Sequence, residues 1–169
     1  MQRELAINFA LRNDDYDRFA GLPDWARESL ARHQHDPRPS VYTRGELEAA
    51  STHDRLWNAA MIQQVNEGWM PNRLRMYWGK QILLWSVNAE TAFRNAVYLN
   101  DRYFLDGRDA NSYANIAWCI GGRHDRPFGP ERAVTGLVRP FGLGAMKRSF
   151  DVQAYIDKVD QRWGVPDPA

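Results

Sequence analysis

Apolar side chains recur at helical spacing along most of the chain, and proline or glycine marks the intervals between the repeats. The clearest case runs from Asn72 to Trp85, where Leu74, Tyr77, Trp78, Ile82 and Trp85 follow the i, i+3, i+4, i+7 rule of one helix face. Pro71, just ahead, suits a helix start, where the first N–H groups lack intrahelical partners. Residues 2–18 carry Leu5, Phe9 and Leu11 near the same spacing, Pro23 opens a segment over Asp24–His33, and Pro37 and Pro39 break the chain. Thr43 with Glu46 has the spacing of a capping box. A start at Thr52 or His53 leads through Leu56, Trp57, Ala60 and Val65 to Gly68. Asn88 or Thr91 opens the next helix, through Ala92, Val97 and Leu99, and Gly107 ends the segment after it. Asn111–Cys119 and Asp151–Trp163 complete the set. No stretch sustains the period-two alternation of a half-buried strand, and no internal repeat is present. The expected class is all-α, a multi-helical bundle.

Residues 121–150 break this pattern. Six glycines and three prolines fall there, which predicts an irregular, extended segment. The same residues change the charge picture. The formal net charge is only +1, but residues 1–70 hold 8 Lys/Arg against 11 Asp/Glu, and residues 71–169 hold 14 against 10. Much of the excess is Arg123, Arg126, Arg132, Arg139, Lys147 and Arg148, opposed by Asp125 and Glu131. Such a stretch is either a solvated surface loop or a local phosphate-binding element, and charge alone leaves both open.

With 169 residues, 44% hydrophobic and 25% charged, the chain is expected to be one soluble domain with a real core. One cysteine, Cys119, excludes an intrachain disulfide and points to a reducing, cytoplasmic setting. The apolar runs are too short to span a membrane, and Arg3 and Glu4 stand where a signal core would be apolar. The histidines are scattered, so no metal site is expected. Seven tryptophans are many for this length. Trp78 and Trp85, two helical turns apart, share one face about 10 Å apart along the axis. By pattern alone they read as core packing, and a charged pair such as Arg75 with Asp106 reads as a helix–helix salt bridge.

Six ordered strings change the weighting. They are R-E-L-x-x-N-F at 3–9, L-W-N-A-A at 56–60, R-M-Y-W at 75–78 with Trp85 beyond it, Y-L-N-D at 98–101, L-D-G-R-D at 105–109 and K-R-x-F-D-V at 147–152. From residue 3 to about 156 the chain resembles the C-terminal part of the FAD-binding helical domain of class II cyclobutane-pyrimidine-dimer DNA photolyases, within the photolyase and cryptochrome superfamily. The resemblance implies a light-driven repair enzyme, a deoxyribodipyrimidine photo-lyase. In it, reduced FAD donates an electron to a pyrimidine dimer flipped out of UV-damaged DNA, and the protein supplies position and electrostatics.

Carried over residue by residue, the resemblance implies an Arg75–Asp106 ion pair beside the flavin ring, with Asn100 facing flavin N5 and with Gly107 and Arg108 nearby. It implies an electron relay through Trp57, Trp78 and Trp85. It places Met76 and Trp118 against the flipped dimer, and Arg126, Arg132, Arg139, Lys147 and Arg148 near phosphates, whose contacts position DNA without reading sequence. The chain departs from the pattern in three ways. The N-terminal α/β domain and the upstream flavin-domain helices are not in it, which implies an incomplete unit, an upstream half on another chain being one way to complete it. Gln2 stands where the family has a lesion-stacking Trp. Trp69 to Leu74 look more like the class I version, in which the residue matched by Asn72 lies close to lesion and flavin. Three readings therefore stand side by side: a repair-enzyme part, a cryptochrome-like photoreceptor module and an inactive fragment or split-gene partner.

Overall fold

The computed structural model describes residues 2–148 and 150–167; of Gln2 it describes the backbone only, so the expected role of the Gln2 side chain lies outside the described residues. Nine α-helices are present among them: α1 (Gln2–Leu11), α2 (Asp24–Arg32), α3 (Arg44–Glu48), α4 (Arg55–Glu67), α5 (Asn72–Trp85), α6 (Ala89–Tyr103), α7 (Ala110–Gly121), α8 (Leu143–Lys147) and α9 (Val152–Trp163). Among the described residues the only extended pairing is one bridge, Arg132 to Gly136. The chain is all-α.

Local chemistry explains most boundaries. Thr43 and Glu46 form the reciprocal capping box that starts α3. Asp54, Asn88, Asp109 and Asp151 each turn a side-chain oxygen to a backbone N–H in the first turn of α4, α6, α7 and α9. Three expectations shift. The first helix stops at Leu11 because Asn13 folds the chain back, accepting from the Asp15 N–H and donating to the Gly21 carbonyl. Helix α4 begins after Asp54, since Thr52 is bonded to the buried side chain of Asn58 instead of capping. The irregular 121–150 stretch contains the short helix α8.

Helix α5 is the centre of the bundle, in contact with α4, α6, α7 and α8, while α1 packs on α7 and α9 on α4. Gly79 lets α5 and α7 approach closely: a Cβ there would come within 2.8 Å of the Cys119 Sγ. Between α7 and α8 the backbone has almost no ladder of its own and is pinned to α2 and the turn that follows it. Ser29 Oγ accepts the Leu137 N–H at 2.9 Å and donates to Glu131, and Asp36 accepts the Val134 N–H at 2.9 Å. Glu131 also bonds Arg32 and meets His33 Nε2 at 3.4 Å, while His33 Nδ1 lies 2.6 Å from Asp36. Asp36 and Glu131 raise the His33 pKa above its ordinary value, with the Asp36 hydrogen bond the largest cause.

Candidate functional site

Arg75, on the first half of α5, gathers residues from α6, from α7 and from the turn between them. Its Nη1 donates to Asp106 at 2.8 and 3.1 Å, and its Nη2 donates to Asn100 Oδ1 and to Ser112 Oγ, both at 2.7 Å. The guanidinium also stacks 3.8 Å above the ring centre of Phe104. The Arg75 side chain is 13% exposed and that of Asp106 45%, so this cation sits at the edge of the core with a carboxylate open to one side. Asn100 is fully buried. Its Oδ1 accepts from Arg75 and from Ser112 Oγ at 2.6 Å, and its Nδ2 donates to Asp101 at 2.8 Å. An amide nitrogen carries two N–H bonds, so one remains for a further acceptor. Gly107 is required by the tight turn, because a Cβ there would lie 2.8 Å from the Asn100 carbonyl oxygen. The exposed Arg108 reaches the group only through its backbone N–H, 3.3 Å from Asp101.

Beside this cluster lies a cleft of about 330 Å³ between α1, α5 and α7, lined by Leu5, Asn72, Met76, Asn115, Trp118 and His124 among others. Asn72 and Met76 are four residues apart on α5, and Asn111, Asn115 and Trp118 follow helical spacing on α7, so two helix faces supply most of the wall. The cleft couples a flat aromatic, a thioether and several amides, a set suited to a flat heterocycle with polar edges.

Behind Arg75 the three tryptophans converge. The rings of Trp57 and Trp78 are stacked within 6° at 6.3 Å between centroids, and Trp57 meets Trp85 edge-on at 5.8 Å. The Trp57 Nε1 donates to the Trp78 carbonyl at 3.0 Å, which fixes the register of α4 against α5. The contact order is therefore Trp78, Trp57, Trp85. Trp85 also touches Tyr42 and His53 at the rim of a second cleft of about 500 Å³. The Trp78 Nε1 is buried without a partner, next to a void of about 10 Å³ shared with Arg75 and Asn115.

The basic residues do not form one group. Arg132 and Arg139 both lie 5.3 Å from the Phe128 ring centre. Arg126 is exposed in the same segment, as is Arg148 just past α8. Lys147 instead lines the second cleft, with Trp85. Sequence reasoning missed Ser112 and Asp101, which complete the surroundings of Arg75 and Asn100, and Asn111 and Asn115, which line the first cleft. The two asparagines were findable, since they share a helix face with Trp118; Ser112 carried no signal of its own.

The bundle defines a helical domain with an ion-paired polar cluster, an adjoining cleft and a buried aromatic stack. Comparison with known proteins gives the domain its relatives. The chain is 45% identical to a deoxyribodipyrimidine photo-lyase of Methanothermobacter thermautotrophicus over 94% of its length, 44% to one of Oryza sativa over 97%, and 45% to one of Potorous tridactylus over 94%. It spans about a third of each of these proteins, 35%, 32% and 30% of their lengths. No family model matches.

The residues present fit a flavin. The cluster offers a cation with a partly open carboxylate, an amide with donor capacity left and a buried indole N–H lacking a partner. An anionic or polar ring edge is the complement of that set.

Proposed function

We propose that this chain, residues 1–169, is the C-terminal flavin- and lesion-facing part of a class II DNA photolyase that splits cyclobutane pyrimidine dimers in light. The observation that carries the reading is the adjacency of three features on one helix. Arg75 of α5 holds the polar cluster, Met76 lines the cleft, and Trp78 begins the aromatic stack. When bound, FAD supplies the light-driven electron. Arg75, Asn100 and Asp106 hold and orient its ring edge, with Arg75 favouring negative charge there and Asp106 keeping the arginine in place. Gly107 shapes the turn that presents Asp106.

The cleft holds the extruded pyrimidine pair. Trp118 stacks on the rings, Met76 adapts to their shape, and Asn72 bonds to their edges. Because stacking and hydrogen bonding act on an unpaired base, the cleft selects a lesion that is already weakly stacked in its duplex. Arg126, Arg132, Arg139 and Arg148 contact the flanking phosphates. In the relay, Trp85, Trp57 and Trp78, with neighbouring ring centres 5.8 and 6.3 Å apart, would carry an electron from an external reductant at the Trp85 end towards oxidised flavin at the Trp78 end.

The test is FAD titration into the purified chain, then illumination with dimer-containing DNA, each with and without the upstream portion supplied as a second polypeptide. The chain alone is expected to bind FAD weakly or not at all and to repair nothing. A typical cofactor pocket buries most of its ligand, and each missing charge-assisted hydrogen bond costs about 1.5–3 kcal/mol. Addition of the upstream portion is expected to restore both. Tight flavin binding without repair in the combined protein would favour the photoreceptor reading.

A further inference from the structure

Lys80 is a buried cation that the reading above leaves without a task. It lies on α5, one turn beyond Met76 and two turns beyond Asn72, and so continues the stripe that lines the first cleft. It is 2% exposed. Among the described residues no carboxylate pairs with it within 4.0 Å. Its Nζ instead lies 4.6 Å from the centre of the Trp118 ring and donates to the Trp118 carbonyl at 3.4 Å. Trp118 itself is only half-buried and lines the cleft. A buried ammonium without a carboxylate is costly to keep, and a contact with an aromatic face is one of the few ways to offset that cost.

We propose that Lys80 is a positioning residue for Trp118: its ammonium, held between the ring face and the carbonyl of that one residue, fixes the indole as the wall on which a flat, uncharged heterocycle stacks. This rests on the lesion-cleft reading only for the identity of the heterocycle, a pyrimidine pair. The clamp between Lys80 and Trp118 stands on its own geometry.

The clamp exists only while Lys80 is protonated. Burial pushes its pKa down to about 8, against the pull of Cys119 and Asp125, and Arg139 pushes the same way as burial. Two neighbouring groups are shifted away from that range. Burial pushes the Cys119 thiol up to about 11, and desolvation with Arg123 nearby lowers the pKa of His124 across the cleft. Lys80 thus loses its charge on going from neutral to mildly basic pH.

The experiment follows the indole N–H resonance of Trp118 in the intact chain from about pH 6.5 to about pH 9.5, assigned by its absence in Trp118→Phe. In the unsubstituted chain it is expected to shift with one midpoint near 8. Lys80→Met is expected to abolish the titration, and Lys80→Arg to hold the low-pH position throughout. In a second arm, preference for a dimer-containing oligonucleotide over the undamaged sequence at neutral pH should fall about tenfold in Lys80→Met, as loss of one desolvated cation–π contact implies. Lys80→Arg should retain it. Thermal melting separates this from a folding defect; should Lys80→Met not fold, Lys80→Arg against the unsubstituted chain still decides. A resonance that does not move through pH 8, or equal dimer preference with lysine and methionine when the unsubstituted chain does prefer the dimer, overturns the proposal. Should the unsubstituted chain show no preference for the dimer, the lesion reading fails, and the titration still decides the clamp.

Discussion

The tryptophan stack and the basic segment are held in place by opposite means. The stack is three nearly solvent-free rings on two adjacent helices, positioned by helix packing and by one hydrogen bond from Trp57 to the Trp78 carbonyl. The segment between α7 and α8 has almost no backbone ladder and is tied to α2 by side chains roughly a hundred residues away in sequence. The first arrangement responds to volume and is indifferent to pH and salt. The second responds to protonation and ionic strength and tolerates changes of side-chain size at its exposed positions. An electron relay needs fixed ring separations, whereas a surface that follows a phosphate backbone needs only the right charges within reach.

The largest expected effect that sharpens this contrast is in the stack. Trp57→Ala should cost about 3–5 kcal/mol of stability, because it empties the volume between Trp78 and Trp85, and denaturant melts will measure it. A loss below about 1 kcal/mol would mean that the stack is not structural, contrary to its burial. Arg75→Met comes next. It leaves Asn100 and Ser112 short of a buried partner, for an expected loss of about 1–3 kcal/mol, reduced by the exposure of Asp106. Gly79→Ala should cost a similar ~1–3 kcal/mol by forcing α5 from Cys119; the same change at the open Gly144 should cost far less, and paired melts will tell them apart.

In the segment, the expected effect depends on pH. His33 has a raised folded pKa, so its contribution is complete below its unfolded value and is lost as pH rises through the folded one. Asp36 and Glu131 have lowered pKa values, chiefly from the Val134 N–H and from Arg32, so theirs is complete above the unfolded values and is lost as pH falls. Hydrogen-exchange protection of the Val134 and Leu137 amides should therefore peak in mild acid and decline as His33 deprotonates, while the amides of α5 stay constant. Flat protection across that range would break the comparison. The smallest effect on stability is expected from Arg132→Ala and Arg139→Ala, within about 0.5 kcal/mol. Each should still lower the salt dependence of DNA binding by about one unit of slope if it contacts a phosphate.

The sequence by itself determined the class and the span of the central helix. Leu74, Tyr77, Trp78, Ile82 and Trp85 repeat with the period of one helix face, and Pro71 sets its start, so α5 was legible without its neighbours. Capping residues did the same for α3 and α6, because a cap bonds only to its own first turn. Local rules also placed Trp78 and Trp85 on one side of α5. They could not show that the two rings communicate through Trp57, because rings two turns apart on one helix do not touch and the ring that bridges them belongs to α4. Nor could they show that Ser112 closes around Arg75, that Lys80 sits under Trp118, or that Lys147 parts from the other basic residues to join Trp85. Those facts belong to the tertiary structure. Periodicity fixes which side of an element a residue occupies, and only the packing of elements distant in sequence fixes what stands across from it.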